Sequence, residues 1–215
     1  MKKVLGCLAL SMVFSSAVAL GAPQTDFEQG KTSVDLGFVR TEVDGLDKKT
    51  GLDFGVTTGL NEKFALQYKF QKLEGDWSDS FEKLDSDNKV HELNVLYKLD
   101  PNVYAFAGIQ RLSGDITATV YGSGSGTDKI DSKTVAQIGV TGVAQLADKL
   151  NGWATAAIGN DNYSYEIGLG YEIAKNADLN LFYRYKKFND VEFKGIGQSV
   201  DAKSKGFGAG VTFKF

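Results

Sequence analysis

The feature that most narrows what this chain can fold into is a hydrophobic alternation of period two, repeated in segment after segment. Val34, Leu36 and Phe38 are separated by Asp35 and Gly37; Phe64, Leu66, Tyr68 and Phe70 by Ala65, Gln67 and Lys69. The same pattern runs through Tyr165-Ile167-Leu169-Tyr171-Ile173 and through Leu179-Leu181-Tyr183-Tyr185. Alternation of this kind places successive side chains on opposite faces of a strand. Clear runs cover 32–43, 52–60, 64–73, 89–99, 164–173, 178–187 and 205–215, and weaker ones 103–112, 133–146 and 152–159, which makes ten predicted strands. Helical spacing is scarce beyond the N-terminal segment. No later stretch approaches the roughly 18 apolar residues that a membrane-crossing helix needs. The expected fold is all-β.

Composition removes several function classes. One cysteine, Cys7, excludes a disulfide scaffold and a cysteine-rich metal site, and one histidine, His91, excludes any site that needs two imidazoles. A formal net charge of -3 argues against nucleic acid as a partner. Residues 1–22 form a predicted signal peptide. Lys2 and Lys3 are its basic start, Val4 to Ala22 its apolar and small-residue body, and Ala17-Val18-Ala19 or Ala19-Leu20-Gly21 its cleavage signal. Cys7 lies too early to be a lipid-carrying cysteine and leaves with that segment. Losing Lys2 and Lys3 takes the net charge from -3 to -5. The exported part, 23–215, is expected to be one β domain held together without disulfides.

Alternation alone does not tell a soluble sandwich or barrel, apolar inside, from a membrane barrel, apolar outside. Three observations favour the second. The polar face carries charges and glycines, whereas the other carries bulky aromatics and aliphatics. Aromatics recur at strand ends, where interfacial belts lie: Tyr97, Tyr104, Trp153, Tyr171 and Phe213 on one side, Phe70, Tyr165, Tyr185 and Phe207 on the other. Connections also alternate in length. Those at 61–63, 100–102, 147–151 and 174–177 are short, while 74–88, 113–132 and 188–204 read as long polar loops. The expected fold is therefore a transmembrane antiparallel up-and-down β-barrel of ten strands, with eight as the alternative. An even number puts both termini on one side.

The chain ends in Gly-Val-Thr-Phe-Lys-Phe, with Phe207, Val211, Phe213 and Phe215 in phase on the closing strand. This end resembles the C-terminal assembly signal of Gram-negative outer-membrane proteins, and residues from about 25 to 215 resemble the small OmpA-like, OmpX-like and porin-family barrels. The resemblance implies residence in the cell outer membrane after export. It implies outer-membrane lipid, lipopolysaccharide and the barrel-assembly machinery as partners, with small solutes or ions as further candidates. It rests on architecture and the closing strand. With Phe215 ending the barrel, no peptidoglycan-binding domain of the OmpA kind is expected.

Antiparallel pairing brings inward residues together across the strands. Asp53 is expected beside Lys69 or Gln71, Lys69 near Glu92, Glu92 near Gln110, and Glu166 opposite Arg184 or Lys186, with Gly208 leaving space beside Arg184. Asp53, Lys69, Glu92, Glu166, Arg184 and Lys186 then form a charge network in the lumen. It either gates small ions or simply neutralises a closed interior, since buried charges must be paired in both cases. Leu96, Tyr104 and Phe106 are candidates to point inward as well. Enzyme readings find little support. His91 follows an Asp-rich stretch, but Glu92-Leu93 after it does not match the His-x-Ser pattern of barrel lipid deacylases, and the chain is shorter than the barrel proteases. The Gly122-Ser123-Gly124-Ser125-Gly126 run lacks the strand-to-helix context of a phosphate loop. No catalytic residue, cofactor or metal is expected. The expected role is structural or porin-like, passing small solutes or ions through a narrow charged lumen. The alternative is surface binding or adhesion through the extracellular loops, where acidic 74–89 carries the apolar Trp77 and Phe81.

Overall fold

The computed structural model describes residues 23–43, 47–192 and 199–215, so the signal-peptide segment with Cys7 lies outside the described residues. Among the described residues the regular structure is all strand: β1 (Thr32–Val43), β2 (Lys49–Gly59), β3 (Phe64–Ser78), β4 (Glu82–Asp100), β5 (Val103–Val120), β6 (Gly124–Lys129), β7 (Lys133–Ala147), β8 (Leu150–Gly159), β9 (Asn162–Ala174), β10 (Ala177–Glu192) and β11 (Ser199–Lys214). Each pairs antiparallel with its neighbours. The β1–β11 pairing, from Ser33↔Lys214 to Val43↔Ser204, closes the ring. Ten strands form the closed barrel. The eleventh, β6, pairs only with the upper half of β5, because β7 takes the lower half.

The closing seam is tied at both chain ends. Thr32 and Phe215 exchange both backbone hydrogen bonds, at 3.1 and 2.8 Å, so the N-terminal segment and the C-terminus share one rim with the short turns. On the barrel wall the alternation behaves as the sequence predicts. Leu36, Phe38, Leu66, Leu93, Ile138, Ile167, Leu181 and Phe207 face out, Phe38 with 61% and Phe207 with 72% of its surface exposed. Asp35, Asp53, Gln67, Glu92, Glu166 and Arg184 face in and are buried. In a lipid-facing barrel the outward row meets acyl chains, and closure satisfies every backbone group that lipid could not.

The stretches read as loops 74–88 and 113–132 are largely strand. β3 and β4 form one hairpin that turns only at 79–81, and β5 continues to Val120 before folding back as β6. The third stretch, 188–204, is strand at its ends, with 193–198 outside the described residues. Roughly 9–11 residues of tilted strand cross a bilayer, so β4 and β5, at 19 and 18 residues, stand well clear of it on the side away from the short turns. The pattern changes phase as they do. Below, β3 carries Leu66, Tyr68 and Phe70 outside and Gln67, Lys69 and Gln71 inside. Above, it carries Lys72, Glu74 and Asp76 outside and Leu73 and Trp77 on the inner face. The medium on the outer face changes from lipid to water, and the apolar side chains change face with it.

Candidate functional site

The lumen is filled in three layers. At the extracellular end the inner faces of the raised strands bury a hydrophobic cluster of Leu73, Leu84, Val90, Leu112, Ile116, Ile130 and Val135 against Phe188 and Val191, with Trp77 and Ala118 packed on it. At the opposite end Phe27, from the segment preceding β1, is fully buried among Ala65, Leu96 and Tyr104, with Phe106 against them. The Phe27 and Tyr104 ring centroids are 5.5 Å apart, and the Lys98 Nζ lies 5.3 Å from the Phe27 centroid.

Between these layers lies the charge network. Arg184 is 2% exposed and Asp53 is fully buried. The Arg184 guanidinium donates to Asp53 Oδ2 at 2.6 Å and, through Nε, to Glu166 Oε2 at 3.1 Å, with the Phe182 ring 4.6 Å away. The other oxygen of Glu166 accepts from Trp153 Nε1 at 2.7 Å. A second centre forms on Glu92. It accepts from Asn94 Nδ2 at 2.5 Å, Gln110 Nε2 at 2.9 Å and Gln137 Nε2 at 2.9 Å, and Lys186 Nζ approaches it at 4.0 Å. Gln110 also bonds Gln137, and Gln67 links Asn94 to Thr57. These amides extend the Glu92 centre into a side-chain lattice across neighbouring strands, of the kind that fixes a unique packing only when its members are satisfied together.

All six expected network residues lie in this interior, and the registers place them as neighbours: Asp53↔Gln71, Lys69↔Glu92, Glu92↔Gln110 and Glu166↔Arg184. Three expectations need correcting. Gly208 pairs with Phe182, not beside Arg184, which pairs with Gly206. A Cβ on Gly208 would come within 2.1 Å of the Phe182 ring, so the glycine holds open the slot for the ring on which Arg184 rests. Trp153 and Tyr104, placed by sequence in a membrane belt, are buried in the lumen instead, Tyr104 as its other reading, inward with Leu96 and Phe106, expected. Trp153 lies over Gly168, where a Cβ would meet its ring at 2.2 Å, and its N–H finds a carboxylate that lipid could not offer. Gln110 lies beside Glu92 as expected, whereas the amides Gln67, Asn94 and Gln137 escaped sequence reasoning, although their inward phase on paired strands was the available signal. Phe207, Val211 and Phe213 share the outer face of β11, and Phe215 follows at the rim.

Cavities border the wall among the described residues. One of about 510 Å³ opens at the short-turn rim beside Ser33, Asn102, Asn151, Asp178 and Thr212. Another, about 730 Å³, is a shallow groove on the outer face lined by Val95, Ala107, Ile138, Val140, Ala156 and Ile158. Among the described residues no cluster of His, Cys, Asp or Glu could hold a metal ion. On the raised sheet, charges are paired at the surface: Lys72 with Glu74 at 2.5 Å and Asp87 at 3.1 Å, and Lys83 with Asp85 at 2.7 Å. The hydrogen bonds that these lysines donate to the carboxylates hold both lysines above their ordinary pKa, and the bond from Lys187 holds Asp201 below its own.

A closed antiparallel barrel with an apolar exterior, polar interior and strands that outrun the bilayer on one side defines a transmembrane β-barrel of the bacterial outer-membrane type. Residues 5–215 match the family model described as outer membrane protein beta-barrel domain, and the chain belongs to that family. It is an integral protein of the outer membrane. No curated protein matches the chain. Among solved structures it is similar to the outer membrane protease OmpT of Escherichia coli, at 13% identity and TM-score 0.54, over 86% of this chain and 93% of that one. It is also similar to the translocator domain of the autotransporter NalP of Neisseria meningitidis, at 11% identity and TM-score 0.51, over 86% of each chain. The attachment invasion locus protein Ail of Yersinia pestis aligns over 87% of this chain and 99% of its own, at 13% identity and TM-score 0.43. At these identities the likeness is one of fold.

Proposed function

We propose that this protein is a non-conducting barrel whose working part is the β-sheet raised above the membrane, which binds a macromolecule at the cell exterior. The observation that carries this reading is the apolar cluster on the inner face of that sheet. On this reading it closes the top of the lumen and makes the projecting strands a packed platform. A pore would have no use for such a roof, whereas a binding platform requires one. The tips of the two hairpins meet: the Tyr121 backbone N–H donates to the Phe81 carbonyl at 2.9 Å. Both side chains stand in solvent, Phe81 with 74% and Tyr121 with 53% of its surface exposed. Paired exposed aromatics on a polar surface are anchors of the kind that dominate protein contacts.

The same reading makes the barrel non-catalytic. His91 sits on the outer wall, its Nδ1 sharing a hydrogen bond with the Tyr68 hydroxyl at 2.8 Å. Among the described residues no carboxylate is hydrogen-bonded to its ring. The test is adhesion of cells displaying the protein to immobilised extracellular-matrix and serum proteins. Phe81→Ser with Tyr121→Ser should abolish the adhesion that the unaltered barrel confers while leaving the amount of folded barrel in the membrane unchanged. Full adhesion by that variant would remove the reading.

A further inference from the structure

We propose that the outer wall of β4 and β5 carries a phosphate site for the headgroup of an outer-leaflet lipid, formed by Lys89, His91 and Arg111. This site is independent of the sheet's proposed binding role. On these strands the outward side chains run in rows. The row Tyr68–Leu93–Ile109 is apolar and meets acyl chains. Three rows higher, Glu74–Asp87–Asp115 is acidic and stands in water. Between them lie Phe70–His91–Arg111 and Lys72–Lys89–Ser113, at the height where the apolar band ends. That is the level of lipid phosphates, and cations accumulate there because a headgroup can neutralise them.

The pairing around the barrel singles out this sector. On the β1–β11–β10 side, Glu42 takes both Lys48 and Lys205, at 2.9 and 3.3 Å, and Lys187 holds Asp201 at 2.5 Å. Lys72 is claimed by Glu74 and Asp87. Lys89 and Arg111 are exposed and form no ion pair among the described residues. Arg40, across the barrel, is likewise without an ion pair, but its row neighbours Thr50 and Phe207 are uncharged, so it stands alone. Lys89 and Arg111 instead flank an imidazole that is already fixed. Phe70 packs on the His91 ring at 5.1 Å, and the Tyr68 hydroxyl and Nδ1 share a hydrogen bond at 2.8 Å, so Nε2 is the ring nitrogen left to face a ligand and donates to it when protonated. Residues directly opposite on paired strands have Cβ atoms about 5 Å apart and diagonal ones about 7–8 Å. Three donors on that footprint fit one phosphate, with the guanidinium able to bind two of its oxygens. The acidic row above repels a free anion arriving from water, so the ligand that suits the site comes laterally, with acyl chains lying on Leu93 and Ile109.

The test uses the purified protein folded in zwitterionic detergent, with bisphosphorylated lipid A, fully dephosphorylated lipid A and inorganic phosphate as probes. Binding is read by native mass spectrometry and by the thermal unfolding midpoint. The phosphorylated lipid should be retained and should raise the midpoint. The dephosphorylated lipid and millimolar inorganic phosphate should do neither. Removing two interfacial cations in K89Q/R111Q should weaken retention by roughly thirty-fold. K187Q, on the paired side, should leave it unchanged. Equal retention of the two lipids would overturn the site without any variant, as would undiminished binding by K89Q/R111Q. Stabilisation by inorganic phosphate alone would overturn the lipid assignment.

Discussion

Arg184 shows most clearly how single residues set the interior. Its charge is enclosed by Asp53, Glu166 and the Phe182 ring, so deleting it strands two carboxylates away from water. Arg184→Ala should cost about 3–5 kcal/mol, measured by denaturant unfolding in detergent, whereas Arg184→Met combined with Asp53→Asn and Glu166→Gln should recover most of the loss. Gly208 acts through the same ring. Gly208→Ala should destabilise by about 1–3 kcal/mol because the new methyl collides with Phe182. A second substitution, Phe182→Leu, should restore part of that loss, and strictly additive losses would show that the collision is not the cause. These contacts were only half legible in the sequence. The inward phase of Arg184, Glu166 and Asp53 followed from alternation. The Trp153 and Phe182 slots did not, because they depend on a glycine of the neighbouring strand and hence on register.

For the elements, a reversal of pattern explains both what the sequence conveyed and what it concealed. The wall strands were readable because lipid on one side and a polar lumen on the other impose one phase on all of them. The raised ends of β3, β4 and β5 read as loops because their outward residues, such as Lys72, Asp85 and Asp115, are charged and their apolar residues lie on the opposite face. A search for continuous outward apolar rows stops where the membrane stops. The closing strand β11 was legible from its aromatic phase, and its pairing with β1 completes the barrel. We propose that Phe215, at its end, is read during assembly and adds little to the folded state, as its 70% exposure suggests. Phe215→Ala should lower the amount of heat-modifiable barrel recovered from outer membranes several-fold and leave refolding in detergent micelles unchanged. An equal loss in both assays would instead make Phe215 structural.

The molecule as a whole is built from two solvent inversions, lipid outside a polar interior below and water outside an apolar interior above. Both leave the axis occupied: Phe27 and Tyr104 at one end, the Arg184 and Glu92 networks in the middle, and the Leu84–Leu112–Phe188 roof at the other. Of the charges that suggested a pore in the sequence, Arg184 is paired with Asp53 and Glu166, and Glu92 is bonded to the amides of Asn94, Gln110 and Gln137; the strands that suggested loops carry the exposed surface. Single-channel recording of the folded protein in planar bilayers tests this account most directly. The account predicts a flat current at all holding potentials from protein whose folding is verified by heat-modifiable migration. Discrete, reproducible conductance steps that change size on Arg184→Met would contradict it.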